Sequence, residues 1–483
     1  MNSAVILLPV FFPFVLSILI SIFKFDERGR NIFASAGVIF NCIVLFSIFY
    51  YVGECSFHLF KFNDFLDIYL KIDKLSILFS ILVSVLWIFT TFYSMEYMKH
   101  EGKENRFFIF FTATLGVTMG IAFSGNLITL YIFYELLTLA TFPLVIHSGT
   151  KQALSSGKKY LIYSFGGATL VLLGMILCFS ITKNLNFVPG GVLAGVSGGN
   201  TKLFLGIYVS LFLGFGVKAA LVPFHSWLPE AMVAPTPVSA LLHAVAVVKS
   251  GAYALIRMSY FIVGADVIRV TKGHIYMSVL IGVTIIMGSF LALHQQNLKK
   301  RLAYSTVSQL GYILLGIVLL NEDALVGGLL HLINHAVIKI TLFFCVGTIM
   351  YMTHKTEISE IKGIGKQMPI TMGCFAIAAI SLIGIPPSNG FVSKWYLALG
   401  GLVEGKIYFA AILLFSAVLT ALYLLPIVTV AFFKKENNDV IEVKEAPMKM
   451  LVPIVSITVI VVLLGLFPNP VVTFIQKIAA ELI

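Results

Sequence analysis

The sequence predicts an all-α, polytopic membrane protein of about 14 transmembrane helices, and three observations carry that prediction. Of 483 residues, 59% are hydrophobic and only 11% charged. The mean hydropathy of +0.98 is far above that of a soluble domain. The apolar residues fall in continuous runs of about 20, the length a helix rising 1.5 Å per residue needs to cross a bilayer, whereas the strands of an outer-membrane barrel are shorter and alternate.

The runs are 4–23, 32–52, 73–95, 107–124, 127–147, 158–182, 202–222, 237–263, 275–295, 301–321, 325–353, 370–400, 407–433 and 449–475. The first has no basic stretch before it and no small-residue cleavage site after it, so it is expected to remain as a span. Ser124-Gly125-Asn126 divides the fourth from the fifth. The twelfth is longer than one untilted crossing needs and is interrupted by Gly384-Ile385-Pro386-Pro387-Ser388-Asn389-Gly390. Adjacent prolines flanked by glycines cannot sit in a continuous helix, which predicts two half-helices with Gly384, Pro386, Pro387 and Gly390 between them. In the seventh, Lys218 precedes Pro223, with Pro229, Pro235 and Pro237 beyond. Freed backbone groups must face protein or water, so paired breaks mark an ion path. The breaks lie five spans apart, and an odd-numbered unit flips in the membrane. The expectation is therefore two inverted five-helix repeats, spans 4–8 and 9–13. This divides the chain into 1–106, 107–263, 264–434 and 435–483.

The net charge of +11 is explained by basic loops on one side and implies no nucleic acid. With the N-terminus outside, about 19 Lys and Arg residues fall in inner loops, Lys24, Lys299, Lys300, Arg301 and Lys435 among them, against about 9 in outer segments. Both termini are expected on the outer side of a prokaryotic-type inner (plasma) membrane. Five scattered cysteines without a CxxC predict no disulfide framework, zinc site or iron–sulfur cluster in this chain.

Besides histidines, five acidic or basic residues lie deep inside the runs: Glu135, Lys218, Lys249, Lys339 and Lys394. Each costs roughly 2.5–3.5 kcal/mol at a helix centre by insertion scales, so each calls for a function. A lone buried carboxylate at Glu135 would take up a proton; the alternative is a basic partner, and Lys218 is the nearest in chain order. The pair is either a switch or a static ion pair that fixes packing. Lys249 lies midway along the eighth span, too deep to snorkel easily, with His243 six residues earlier on a different face. His243 itself reads as a relay group or as a buried histidine bonded to a carbonyl. His331, His335 and Lys339 recur at i, i+4 and i+8, a titratable stripe with Asn334 beside it. An i, i+4 histidine pair also suits a metal, but no carboxylate or cysteine shares this face. Lys394 is a terminal relay group or a lysine snorkelling outward. Arg257, late in the eighth span, reads as an interfacial anchor. No Walker A motif or dinucleotide fingerprint is present, so the energy source must be an ion gradient or a partner subunit.

Several runs together carry a resemblance: Leu130-Tyr131-Ile132-Phe133-Tyr134-Glu135-Leu136, Lys218-Ala219-Ala220-Leu221-Val222-Pro223-Phe224-His225-Ser226-Trp227-Leu228-Pro229-Glu230-Ala231, Pro235-Thr236-Pro237-Val238-Ser239-Ala240-Leu241-Leu242-His243, Leu302-Ala303-Tyr304-Ser305-Thr306-Val307-Ser308-Gln309-Leu310-Gly311-Tyr312, His331-Leu332-Ile333-Asn334-His335-Ala336 and Gly384-Ile385-Pro386-Pro387. Over its whole length the chain resembles the antiporter-like subunits shared by respiratory complex I, membrane-bound hydrogenases and Mrp-type sodium/proton antiporters, most closely the D-type Mrp subunit. The resemblance implies that Glu135 and Lys218 form the family's glutamate–lysine pair and that Lys249 is the connecting lysine. His331 and His335 would be the polar links and Lys394 the terminal group, where some complex I members carry glutamate. It further implies a proton-translocating subunit, with sodium as an open alternative, among other antiporter-like and small membrane subunits. Redox subunits with iron–sulfur or nickel–iron centres would drive it. A secondary Na+/H+ antiporter without a redox partner and a purely structural membrane subunit are the alternatives.

Overall fold

The computed structural model describes residues 3–23, 25–61, 67–196, 200–434 and 444–483; Lys24 and Lys435, expected in inner loops, lie outside them. The chain opens with α1 (Leu7–Ile22) and α2 (Glu27–Tyr51), then a hairpin of β1 (Cys55–Lys61) and β2 (Asp67–Ile72). The strands pair antiparallel, Cys55 opposite Ile72 and Phe57 opposite Leu70. The sequence does not announce this hairpin, because its short alternating strands lie below the signal of the long apolar runs around them. There follow α3 (Lys74–Glu101), α4 (Glu104–Ala122), α5 (Leu127–Val145), α6 (Lys151–Thr182) and α7 (Thr201–Lys218).

Beyond α7 come α8 (Trp227–Glu230), α9 (Thr236–Ala244), α10 (Val247–Arg257) and α11 (Ala265–Val270). The second half contains α12 (Gly273–His294), α13 (Leu298–Val318), α14 (Glu322–Thr353), α15 (Ile364–Gln367), α16 (Pro369–Ile383), α17 (Asn389–Val403) and α18 (Ile407–Phe433). The chain closes with α19 (Met448–Leu466) and α20 (Asn469–Leu482).

Twelve helical stretches among the described residues are long and apolar enough to cross a bilayer. Of the 14 runs, two are not among them. One is α13, which begins with Lys299, Lys300 and Arg301; the other is the twelfth run, split into the 15-residue helices α16 and α17. The last run, expected to reach 475, stops at Leu466. There Phe467-Pro468-Asn469-Pro470 breaks the helix, and α20 is a separate amphipathic helix tied back to α3 by a Lys74–Glu481 ion pair.

Side chains fix where the helices start. Asn126 accepts from Thr129 N at 2.8 Å and Asn297 from Lys300 N at 3.1 Å, each satisfying an amide that the first turn cannot. The two halves match at these junctions. Leu127 N donates to Leu185 O and Phe187 N to Gly125 O; Leu298 N donates to Thr356 O and Ile358 N to Gln296 O, at the same spacing. Lys183 and His354, both left-handed, close α6 and α14. The first halves of both broken spans end in the same six-residue closure, Leu221 N to Gly216 O around left-handed Ala220, and Ile385 N to Ile380 O around left-handed Gly384.

Burial then sorts the helices. The most apolar stretch of Thr236–Val263 is wholly buried and that of α14 is 94% buried, against 39% for α1, α2 and α6. The two spans with the densest polar stripes therefore form the axis of the bundle, and plain apolar helices surround them.

Candidate ion-translocation axis

The axis begins where α5 meets the end of α7. Glu135 Oε1 lies 3.9 Å from Lys218 Nζ. The lysine is buried and donates to the Tyr134 carbonyl, with its ammonium 3.4 Å from the centre of the Tyr134 ring. Glu135 keeps 21% of its side chain exposed on the flank that carries Leu136 and Leu139. At 3.9 Å and an effective dielectric of about 20, the pair is worth about 4 kcal/mol; at twice that distance, about 2. Lys218 sits at the last helical position of α7, where its charge complements the carbonyl end of the helix. The break after it places Pro223 at the protein surface.

From Lys218 the path crosses to α10. Gly251 lies directly on the break: a Cβ there would stand 2.6 Å from Ala219 N and 2.9 Å from Lys218 C. Only a hydrogen atom fits in that gap, so the lysine-bearing ends of α7 and α10 touch backbone to backbone. No hydrogen bond joins Lys218 to Lys249 among the described residues. Lys249 Nζ instead meets His335 Nδ1 at 2.6 Å. His335 stacks toward His331, ring centres 5.9 Å apart. His331 uses both nitrogens, Nδ1 with Ser393 Oγ at 3.0 Å and Nε2 with Gln309 Oε1 at 3.1 Å. Lys394 closes the row, within electrostatic reach of His331.

Lys394 does not turn to an outer interface. Its Nζ donates to Leu382 O and Ile383 O, both at 2.8 Å, and lies 5.2 Å from the Tyr312 ring. Those carbonyls are freed where Gly384 ends α16, so the lysine caps the half-helix that the break creates. Gly390, expected between the half-helices, is instead the second residue of α17: the break closes at Ser388, and Gly390 is held so close against Ser381 O that a Cβ has no room. Asn334 and Asn389 bind each other across α14 and α17.

Lys339 leaves the stripe. Its Nζ donates to Leu302 O at 3.0 Å and Ser305 Oγ at 2.8 Å, and Ser305 leads to Tyr423. His243 meets no carbonyl: neither ring nitrogen has a protein partner, although the side chain is fully buried. The eighth span, expected as one helix, breaks between Ala244 and Val247, and this break lies between His243 and Lys249. Other buried polar atoms without protein partners line the same row: His335 Nε2, Ser250 Oγ and Asn389 Oδ1. An unsatisfied buried polar atom costs about 1–3 kcal/mol, and native interiors meet that need with internal water. The row is thus built to be wet.

Two readings of charge are corrected. Arg257 is not an interfacial anchor. It is 1% exposed and gripped by Asp73 at 2.5 and 2.7 Å and by the Tyr253 hydroxyl. Asp73 is the N-cap of α3 and supplies the carboxylate that lets an arginine be buried. Lys299 and Arg301 are not loop charges but buried members of the first turn of α13. Lys299 Nζ donates to Ala234 O at 2.6 Å, and Arg301 binds Gln295 O and Tyr423 O. The signal that reveals them is Asn297, a cap residue that puts the helix start before the basic cluster. Gln309 and Tyr312 join the site from a motif that carried the resemblance, and Asn389 from the break, though none was read as a site residue; Ser393 joins it without any sequence signal that singles it out.

The comparisons with known proteins extend over this whole arrangement. Residues 124–420 match the family model described as NADH:quinone oxidoreductase/Mrp antiporter, transmembrane, and residues 59–108 the N-terminus of chain 5 of NADH-ubiquinone oxidoreductase (complex I). The chain is 35% identical over 419 residues to the N-type NADH-quinone oxidoreductase subunit of Desulforudis audaxviator, covering 84% of this chain and 83% of that one. It is 28% identical to the D-type Na+/H+ antiporter subunit of Alkalihalophilus pseudofirmus over 488 residues, covering 100% and 98%. It spans about half the length of the A-type antiporter relatives it matches. Among solved structures, a chain of the Mrp complex from Dietzia sp. superposes with a TM-score of 0.89 at 22% identity, covering 100% of this chain and 98% of that one.

Proposed function

Given that this chain belongs to the NADH:quinone oxidoreductase/Mrp antiporter family of membrane subunits, we propose that it moves protons along the row Glu135–Lys218–Lys249–His335–His331–Lys394 within a larger membrane complex. The observation that carries the reading is the direct Lys249–His335 contact at 2.6 Å, which links two helices through titratable groups in a wholly buried place. The cycle starts at the Glu135–Lys218 pair. A charge shift in a neighbouring subunit, felt at the exposed flank of Glu135, loosens the pair and frees the Lys218 proton for the row. Lys394, on the carbonyls of the break, holds the proton at the far end.

In this reading the segments 107–263 and 264–434 are inverted repeats, supported by their matched caps and closures. Both termini lie on the outer side. The driver is a redox module, supported by 35% identity to an N-type oxidoreductase subunit; this chain binds no cofactor of its own, and any iron–sulfur or nickel–iron centre belongs to partner subunits. A second reading, a D-type component of a secondary Na+/H+ antiporter, is favoured by the end-to-end match to the D-type relative. The mass and composition of the intact native complex separate the two. The test of the path is Lys218→Ala in the reconstituted complex, where loss of gradient formation is expected. Unchanged gradient formation removes Lys218 from the mechanism.

A further inference from the structure

One end of the bundle carries a cavity that the row above does not use. Tyr97, His100, Glu101, Met350, Tyr351 and His354 enclose about 280 Å³ where α3 and α14 end, room for several water molecules. His100 stacks on Tyr351, ring centres 4.0 Å apart, and forms one wall. At the buried side the Tyr97 hydroxyl meets Thr236 Oγ1 at 2.9 Å, at the start of α9. Glu101 is the carboxylate whose charge reaches buried Lys299, and Lys299 holds the Ala234 carbonyl two residues before Thr236. The charges of Lys299, Lys339 and Lys249 in turn all reach the ring of His243.

Resting on the proton-translocating reading, we propose that this cavity is the uptake mouth of the axis: protons enter at Glu101 and His100, pass by Lys299, and reach Lys249 and His335 through His243. Two independent features support it. His243 is fully buried with both ring nitrogens unpartnered. A neutral imidazole has one donor and one acceptor to satisfy, and at a hub of three lysines internal water meets both needs and conducts protons. Lys299 spends one of its three N–H donors on Ala234 O, which leaves two for water on its way to His243. The break between Ala244 and Val247 separates the branch residue His243 from Lys249, so one span serves both the inlet and the row.

The experiment uses the intact complex reconstituted in vesicles. Met350→Cys places a thiol in the cavity. Cys55→Ser removes the half-buried hairpin thiol; the other native cysteines are buried. The translocation rate is measured before and after a positively charged, membrane-impermeant thiosulfonate is added from each side. Labelling from the inner side is expected to slow translocation about tenfold or more. Lys299→Met is expected to do the same, and Lys299→Arg to retain more of the rate. Unchanged rates after labelling from either side overturn the inlet, and the labelling arm stands even where Lys299→Met does not assemble. Lys218→Ala is run in parallel. If it stops transport while labelling and Lys299→Met do not, the inlet fails and the axis remains; if it transports normally, the axis reading itself has failed.

Discussion

Shortening or neutralising Glu135 grades the strength of the Glu135–Lys218 pair. At 3.9 Å the interaction is about 4 kcal/mol at an effective dielectric of ~20. Glu135→Asp withdraws the carboxylate by one bond, roughly 1.5 Å, which leaves about 3 kcal/mol. The lost ~1 kcal/mol corresponds to about a five- to eightfold change in the equilibrium between closed and open pair. Glu135→Gln removes the whole Coulomb interaction, on the order of a thousandfold. Proton uptake by vesicles holding the reconstituted complex is therefore expected to fall in the order wild type, Glu135→Asp, Glu135→Gln. Because the pair acts as a unit, Glu135→Gln should add little loss to Lys218→Ala. Glu135→Gln vesicles that pump at the wild-type rate, or losses that simply add in the double variant, would refute the switch.

Three other outcomes are expected. Arg257→Ala leaves the half-buried Asp73 carboxylate without its cation, which should cost about 2–3 kcal/mol and lower the thermal transition of the solubilised protein; Asp73→Ala in addition should recover part of it. Gly251→Ala forces a methyl group into the backbone of the α7 break, so translocation is expected to fall more than stability does, measured as pumping rate against thermal transition. In the segment after α14, Thr356 N and Glu357 N donate to Glu360 at 2.9 and 2.8 Å and hold its carboxyl below the ordinary range. A depressed carboxyl stabilises above its unfolded value and loses that contribution as pH falls through the folded one. Glu360→Gln should thus flatten a small acid-side slope in stability and leave neutral pH nearly unchanged, as read from thermal transitions between about pH 3 and pH 6.

The apolar runs made the spans legible, and proline with glycine made the breaks at Pro223 and Gly384–Ser388 legible, because those residues act locally whatever surrounds them. What escaped depends on partners far away in the chain. Arg257 and an exposed anchor look alike until Asp73, 184 residues earlier, comes to meet it. Lys299 reads as a loop charge until the Ala234 carbonyl covers it. The i, i+4, i+8 spacing placed Lys339 on the histidine stripe, yet a long flexible side chain goes to the nearest acceptor, here Ser305. The Lys249–His335 contact was not written in either helix alone, since both positions merely read as polar groups facing inward.

The break in the eighth span has no local cause. Ala244-Val245-Ala246-Val247 contains neither glycine nor proline; the discontinuity is a wide turn in which Val245 N and Ala246 N both donate to Leu241 O. A continuous helix behaves as a rod: a push at one end arrives at the other. Divided here, the span becomes two levers on a joint, and tilting the Thr236 end need not turn Lys249 out of contact with His335. For the proposed inlet and row this means that the mouth can open while Lys249 stays in register with His335.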